Sequence, residues 1–236
     1  TLIFELPAEN SIPSIIGKLG RFEIQGESKI TSKNIIADLD ISTDLGFIIS
    51  KLEMINIDDI DYASYEGNIV FDEFSIGELI DDPKVGRISM NTDVNGKGFT
   101  LDNINTFIKG TIYGLDYNEY YYSNISINGN IKNKIFNGEL NIEEDNLDFA
   151  FKGLVNFSEA YNNYDFNATV NYANLKALNF VTKDSISTFK GLVSMKMNGT
   201  NLDDAYGNIM FKNTLYTNQN DQYYFKDFSI TSSFDN

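Results

Sequence analysis

The sequence predicts an all-β fold, an elongated antiparallel sheet built from repeated units with few short helical turns, and three observations predict it. Residues that favour strands are abundant among the 236 residues, which include 14 Tyr and 18 Phe. Runs in which apolar and polar residues alternate recur along the whole chain. A β unit also occurs twice, in copies that lie about 100 residues apart.

The alternating runs indicate strands with one apolar face. Their apolar members include Ile88, Met90 and Val94; Ile125, Ile127 and Ile131; Tyr164, Phe166, Ala168, Val170 and Tyr172; and Phe189, Val193, Met195 and Met197. A period of two places these residues on one side of the sheet and the intervening polar residues, mostly Asn, Asp, Ser and Lys, on the other. The pattern therefore predicts hairpins with one covered face and one face in water.

Gly, Asn and Pro residues mark the predicted turns and bends. Four Asn-Gly pairs favour hairpin turns, with a position inside a strand as the alternative; they are Asn95-Gly96, Asn128-Gly129, Asn137-Gly138 and Asn198-Gly199. Five further glycine positions predict strand edges or bulges; they are Gly86, Gly110, Gly138, Gly153 and Gly191. Short helical turns are expected at 75–80 and 174–180, and the stretch 2–19 is the least regular.

The internal repeat predicts that one sheet is extended within a single β-rich segment, 1–236. Gly86-Arg-Ile-Ser-Met90 matches Gly191-Leu-Val-Ser-Met195, and each motif is followed by Leu-Asp, Gly-x-Ile and a Tyr-rich strand. Ile76-x-x-Leu79 and Leu175-x-x-Leu178 precede the two copies. The approximate units are 65–130 and 165–232. Because the duplication adds no catalytic motif, it favours stacking along an axis.

Composition excludes several classes of function. The formal net charge of −16 argues against binding to nucleic acid and to anionic lipid headgroups. The absence of Cys and His excludes Ser-His-Asp and Cys-His catalysis and the usual zinc sites. We therefore expect neither an enzyme nor a cofactor. No apolar run approaches the ~20 residues of a membrane helix. The chain begins at Thr1 without a Met, so we expect a fragment of a longer protein, with a mature, processed chain as the alternative.

Two groups of polar residues remain as candidate sites. The acidic clusters are interpreted as solvated turns, with a carboxylate-based hydrolase as the less favoured hypothesis; they are Asp58, Asp59 and Asp61; Asp81 and Asp82; Glu143, Glu144 and Asp145; and Asp203 and Asp204. The Tyr-rich segment is interpreted as cross-strand pairing rather than as a stacking platform for sugars or bases; it contains Tyr113, Tyr117, Tyr120, Tyr121 and Tyr122.

The order of several motifs from about Asp44 to the end of the chain resembles one known family. The motifs are Tyr65-Glu-Gly-Asn-Ile-Val-Phe71, Phe74-Ser-Ile-Gly-Glu-Leu79, Gly86-Arg-Ile-Ser-Met90, Gly96-Lys-Gly-Phe-Thr-Leu101, Tyr120-Tyr-Tyr-Ser-Asn-Ile-Ser-Ile-Asn-Gly129, Phe136-Asn-Gly-Glu-Leu140, Asn146-Leu-Asp-Phe-Ala-Phe-Lys-Gly153 and Gly199-Thr-Asn-Leu-Asp-Asp-Ala-Tyr-Gly207. Together they resemble the TamB-like translocation and assembly proteins of the AsmA-like superfamily, in the Bacteroidota lineage. The chain would be an internal piece of such a protein.

The resemblance implies a β-taco-like sheet, curved into an open U-shaped trough that carries lipid. Proteins of this family are anchored in the inner membrane, cross the periplasm, partner with a BamA-like (TamA-type) outer-membrane barrel, and act in phospholipid transport and outer-membrane protein assembly. Membrane contact would come from segments outside this chain. The residues expected to line the groove against phospholipid acyl chains are Ile88, Met90, Val94, Ile125, Ile127, Ile131, Phe149, Phe151, Phe166, Val170, Val193, Met195, Met197, Ile209 and Phe211.

The same alternation is also compatible with a different class of protein. In a structural or adhesive β-repeat stalk, the apolar face would pack into a closed core and would hold no lipid. Periodicity alone does not distinguish an open apolar face from a covered one, and the two hypotheses differ in the exposure that they predict for this face.

Overall fold

The structure is a computed structural model that describes residues 17–31, 33–56, 63–98, 103–156, 162–199 and 205–233. Several features of the sequence lie outside these ranges. They are Asp58, Asp59 and Asp61, the Leu101-Asp102 and Leu202-Asp203 motifs, Asp204, and most of the irregular stretch 2–19.

Thirteen strands and a short helix make up the described fold. The strands are β1 (Phe22–Ile30), β2 (Asn34–Thr43), β3 (Gly46–Ile55), β4 (Ser64–Phe74), β5 (Val85–Lys97), β6 (Asn105–Tyr117), β7 (Tyr120–Lys132), β8 (Ile135–Glu144), β9 (Leu147–Asn156), β10 (Asn163–Asn174), β11 (Ser187–Asn198), β12 (Tyr206–Asn218) and β13 (Gln222–Ser232). The helix, α1, spans Ile76–Ile80 between β4 and β5.

The strands form one antiparallel sheet in which every strand pairs with its neighbours in sequence. The prediction of an all-β, antiparallel fold is confirmed. The sheet is not closed into a barrel, since β1 and β13 stand at opposite ends of the strand order. In the described part of the chain no second layer covers the sheet, so any burial of its apolar face comes from curvature and from the connections between strands.

Three of the four Asn-Gly pairs do not form turns. Asn95-Gly96, Asn128-Gly129 and Asn137-Gly138 lie inside β5, β7 and β8. The tight turns instead use Asn118 with Glu119 and Asn133 with Lys134, which have φ between 49° and 66°. Positive φ at both central residues is the type I′ geometry that matches the twist of a hairpin. The antiparallel hairpins are thus present, and three of the four Asn-Gly pairs take the alternative position inside a strand.

Glycines inside the strands allow the sheet to curve. Gly110, Gly138 and Gly153 lie within β6, β8 and β9 rather than at strand edges or bulges, which corrects the prediction for them. Gly138 pairs with Gly129 on one side and Gly153 on the other. A Cβ on Gly138 would lie 2.5 Å from the Cα of Gly129. Neighbouring backbones therefore approach more closely along this row than side chains would permit.

Bulges bend the sheet along a second line, nearer the end of the strands that carries α1. The register shifts between Phe71 and Phe74 in β4, and between Lys190 and Leu192 in β11, where Gly191 lies. Val170 and Ala173 flank a similar irregularity in β10. Bulges locally increase the bend and twist of a strand. Together with the glycine row they mark positions at which the sheet can bend, so an open curved trough is compatible with the structure.

Corresponding residues of the two repeated sequence units do not lie in the same row of paired residues across the sheet. The first copy lies on β4–β7 and the second on β10–β13. The row of paired residues that starts at Met90 passes through β6 to β10 and reaches Gly191 in β11, not Met195. Met195 therefore lies four residues further along its strand, about 13 Å at 3.3 Å per residue.

Candidate functional site: the inner face of the sheet

One side of the sheet, which we call the inner face, is apolar across all thirteen strands. The pairing register defines it: Met90 pairs with Ile112, which pairs with Ile125. The row continues through Ile142, Phe149 and Val170 toward β11, and through Phe71, Ile48, Ile41 and Ile24 toward β1. Residues directly paired across antiparallel strands share a face.

All fifteen residues predicted to line the groove lie on the inner face. Three neighbouring rows contain most of them, because Val193 pairs with Ala168 and Phe211, while Met195 pairs with Phe166 and Ile209. The register thus brings together residues that lie up to 123 positions apart in sequence, from Ile88 to Phe211. A shift of one residue in the register of any strand would have moved its predicted residues to the opposite face.

Burial of the inner face is uneven. Met90, Val94, Ile125 and Val170 are buried, and Ile125 is only 2% exposed. The other eleven predicted residues are half-buried, including the large side chains Phe149, Phe151 and Phe166 in the middle of the sheet. A closed core would bury such aromatic rings almost completely. The buried residues of the inner face thus form two patches, one around Ile125 and one that includes Val94, and the rest of the face is partly open.

The two edge strands expose their inner-face residues most. Ile24 in β1 is 50% exposed, and Phe228 and Ile230 in β13 are 45% and 46% exposed. Phe228 nevertheless contacts Phe211, with ring centroids 6.0 Å apart. The apolar surface therefore continues to both ends of the strand order without a polar boundary.

The connection between β10 and β11, residues 175–186, which we call the strap, covers one end of the inner face. Leu178 is 1% exposed and packs in a cluster that includes Ile112, Ile125 and Ile142. Asn179 Nδ2 donates hydrogen bonds to the carbonyl oxygens of Asn118 (3.2 Å) and Glu119 (3.1 Å) in the β6–β7 turn. The strap thus joins β10 to a turn three strands away.

A second set of contacts fixes the far half of the strap. Tyr216 Oη donates a hydrogen bond to Asp184 Oδ2 (3.1 Å), and Gln219 Nε2 donates one to Asp184 Oδ1 (3.1 Å). At the centre of the strap, Asn118 Nδ2 donates a hydrogen bond to the carbonyl oxygen of Asn179 (3.4 Å), which completes the contact between these two residues. Helical turns were predicted at 174–180, and the structure has hydrogen-bonded turns there, with Leu178 N bonded to the carbonyl oxygen of Asn174 (3.0 Å).

Tyr residues divide between the two faces of β6 and β7. Tyr117 pairs with Tyr120, and Tyr122 pairs with Leu115 on the inner face, whereas Tyr121 pairs with Asp116 on the outer face. The rings of Tyr120 and Tyr122 meet edge-on, with centroids 4.8 Å apart. The expected cross-strand pairing is thus present on the inner side, and Tyr113 and Tyr121 remain exposed on the other.

Tyr122 sits in a buried polar environment beside Glu144. Tyr120 Oη donates a hydrogen bond to Glu144 Oε2 (2.7 Å), while Tyr122 Oη and Glu144 Oε1 are buried with no partner among the described residues. Burial raises the pKa of Tyr122 to about 12, and the nearby Tyr117, Tyr120 and Glu144 reinforce the shift. Both effects disfavour a phenolate there.

The raised pKa of Tyr122 makes folding sensitive to alkaline pH. The unfolded chain loses this proton near pH 10, whereas the folded chain keeps it until about pH 12. The stabilising contribution is therefore complete below pH 10 and is lost as the pH rises from 10 through 12. We expect the contribution of Tyr122 to the free energy of unfolding in urea to fall by about 1–3 kcal/mol over this range. Tyr122→Phe should have a smaller pH dependence, and equal slopes for the two proteins would contradict the assignment.

The acidic side chains are distributed over the surface and do not converge. On the outer face several carboxylates pair with a cation on the next strand, as in Asp38 with Lys51 (3.2 Å) and Glu139 with Lys152 (2.7 Å). Asp81 pairs with Lys18. Within the described ranges, no group of three or more acidic side chains is arranged to hold a metal ion.

Two concave pockets lie along β1–β4, away from most of the residues of the predicted groove. These pockets, of about 470 and 390 Å³, are lined mostly by outer-face residues, such as Asp38 and Lys51 in the first and Asp40 and Phe47 in the second.

Sequence reasoning missed some inner-face residues and the role of the strap. Ile112 and Ile142 are buried in the same row as Met90, and their own alternation with polar neighbours could have identified them. Leu178 gave no such signal. Its role depends on where a connection folds back, which local periodicity does not encode.

Comparisons with known proteins add no family assignment. No protein-family model matches the chain, and searches of curated proteins and of solved structures gave no match. In the described part of the chain, the helical content includes no segment of the length and hydrophobicity that crossing a membrane requires.

Proposed function

We propose that this chain is a lipid-transfer segment whose inner face binds phospholipid acyl chains. In the fuller form of the proposal it belongs to a TamB-like protein that crosses the periplasm between an inner-membrane anchor and a BamA-like barrel partner. There it would serve phospholipid transport and outer-membrane protein assembly. The motif order supports that fuller form, and the apolar face supports the binding.

The observation that carries the proposal is the continuity of a partly open apolar face. The rows on this face run across all thirteen strands, and eleven of the fifteen predicted residues keep part of their surface in water. Monomeric soluble proteins rarely leave a continuous apolar surface of this extent uncovered. An acyl chain lying along a row would cover side chains from successive strands.

The energetics suit acyl chains rather than headgroups. Each methylene removed from water contributes about 0.8 kcal/mol, so ten methylenes in the trough would contribute on the order of 8 kcal/mol before the costs of ordering the chain. The net charge of −16 does not attract an anionic headgroup. Binding would therefore depend on the tails, with the headgroup left in water.

A lipid analysis of the purified chain tests the proposal. We expect native mass spectrometry and solvent extraction to find co-purified phospholipid. Met195→Asp, on the half-buried part of the inner face, should lower bound phospholipid at least fivefold, because a carboxylate next to an acyl chain would lose its hydration.

The matched control for this experiment is Leu192→Asp, which introduces the same charge on the same strand but on the outer face, where Leu192 is 43% exposed. Its phospholipid content should equal that of the parent chain. Lipid-free material, or equal loss in both variants, would contradict the proposed function.

The alternative function is a structural or adhesive β-repeat stalk. The buried row around Ile125 and the strap favour it, because they show that part of the inner face is covered by the chain itself. A stalk would show no bound lipid and would tolerate Met195→Asp with little change other than in stability.

A further inference from the structure

The strap lies where an acyl chain would lie if the trough were open along its whole width. Leu178 and Leu175 pack with Ile112, Ile125 and Ile142, all of which are on the inner face. These positions continue directly into the half-buried residues Ile127, Leu140 and Phe151 one row away. The two leucines therefore supply, from within the chain, the apolar contacts that a bound tail would supply.

The centre of the strap is held by the burial of Leu178 and by neutral hydrogen bonds. Asn179 and Asn118 exchange side-chain hydrogen bonds with each other's backbone carbonyls, and no charge contributes to this contact. The ends of the strap are fixed differently: Ala177 N donates to Asn174 Oδ1 (3.1 Å), and Asp184 accepts hydrogen bonds from Tyr216 and Gln219. Lifting of the strap would therefore require that Leu178 leave the cluster and that the Asn179–Asn118 hydrogen bonds break, while the contacts at the ends of the strap and the pairing of the strands could persist.

The outer surface of the strap contrasts with its inner surface. Phe180 is 57% exposed and Ile186 is 51% exposed, whereas Leu178 is almost fully buried. The corresponding connection between β4 and β5 does not behave in this way: α1 holds Leu79 at an equivalent place in the repeat, yet no residue of α1 belongs to the cluster around Ile125. Insertion into the trough is thus a property of this strap and not of the repeat.

We propose that the strap is a self-occluding lid, in which Leu175 and Leu178 take the place of an acyl chain until the strap lifts. This inference rests on the proposed function. In the resting state acyl chains would have access to the half-buried inner face of β11 and β12. Access to β7 and β8 would require the break of the Asn179–Asn118 contact and the exit of Leu178. The lid would therefore control how far lipid can pass along the sheet.

Photolabelling with palmitic acid that carries a terminal diazirine tests the lid. Labelled peptides are mapped by mass spectrometry, and the ratio of labelling on 120–144 to labelling on 187–218 is compared between variants. We expect this ratio to be low in the parent chain. The release variant, Leu178→Ser with Asn179→Ala, should raise it at least fivefold, and Phe180→Ala, on the exposed side of the strap, should leave it unchanged.

A locked variant provides the reciprocal measurement. The chain has no Cys, so Asn118→Cys with Asn179→Cys introduces the only two thiols, which a short bis-maleimide can bridge. Bridging should hold the ratio at or below its parent value, and the unbridged form should exceed it. If the release variant does not fold, Asn179→Ala alone and the bridged and unbridged forms of the Cys pair provide the same comparison.

The outcomes separate the two proposals. Labelling on 187–218 with a ratio that neither release nor bridging changes would overturn the lid and leave the lipid-binding function standing. An absence of specific labelling in every variant would overturn the lipid-binding function and the lid with it. A ratio that rises on release and falls on bridging supports the lid.

Discussion

Val170→Asp is expected to unfold much of the sheet, not merely to weaken lipid binding. Val170 is 8% exposed and lies between Phe149 and Gly191 in the buried row of the inner face. A carboxylate there would have no cationic partner and would lose its hydration. Leaving a charge buried and unpaired costs about 3–5 kcal/mol, a large part of the stability of an ordinary domain. Urea unfolding followed by circular dichroism measures the loss.

The control for Val170→Asp is again Leu192→Asp, because Leu192 lies on the neighbouring strand and on the opposite face. We expect the control to change the free energy of unfolding by no more than about 0.5 kcal/mol. A similar cost in both variants would mean that the inner face is not the buried one. The structure thus limits which positions can test transport alone: Val170 and Met90 are too deeply buried, and Met195 is suitable.

Gly153→Ala is expected to have the second large effect, since it would disturb the bend between β9 and β10. Gly153 has φ +147°, and a Cβ on it would lie 2.5 Å from the Cα of Phe166. An L-residue would be strained in this conformation and would also push the two strands apart. We expect a loss of about 2–4 kcal/mol in the free energy of unfolding and faster amide exchange in β9 and β10.

Gly17→Ala is the matched control, because a Cβ at Gly17 would meet nothing within 4 Å and its φ is not in the range that excludes side chains. Its effect on unfolding should be small. If Gly153→Ala were as stable as the parent chain, the close approach of β9 to β10 would not depend on the missing side chain, and the glycine row would not be the cause of curvature.

Much of the architecture could be predicted because it is local. The alternation of Met90, Val94 and their neighbours is a property of single strands, and the side-chain period of two allows only one face for each set. The same reasoning assigned Phe166 and Met195 to a common side although their strands had not been paired. The turns were less predictable. Asn137-Gly138 has the composition of a turn, yet it lies in β8, where the neighbouring backbone approaches too closely for a side chain at Gly138.

The sequence by itself determined the strands, the apolar face and the absence of Cys and His chemistry, because each depends on residue types and their spacing. The tertiary structure alone decided how much of that face is covered. Ile125 is buried and Phe151 is half-buried although both belong to similar alternating runs. The difference arises from the strap, the bulges and the glycine row, which act between strands far apart in sequence. Contacts between strands and with the strap, and not the pattern of any one strand, set the exposure of the apolar face.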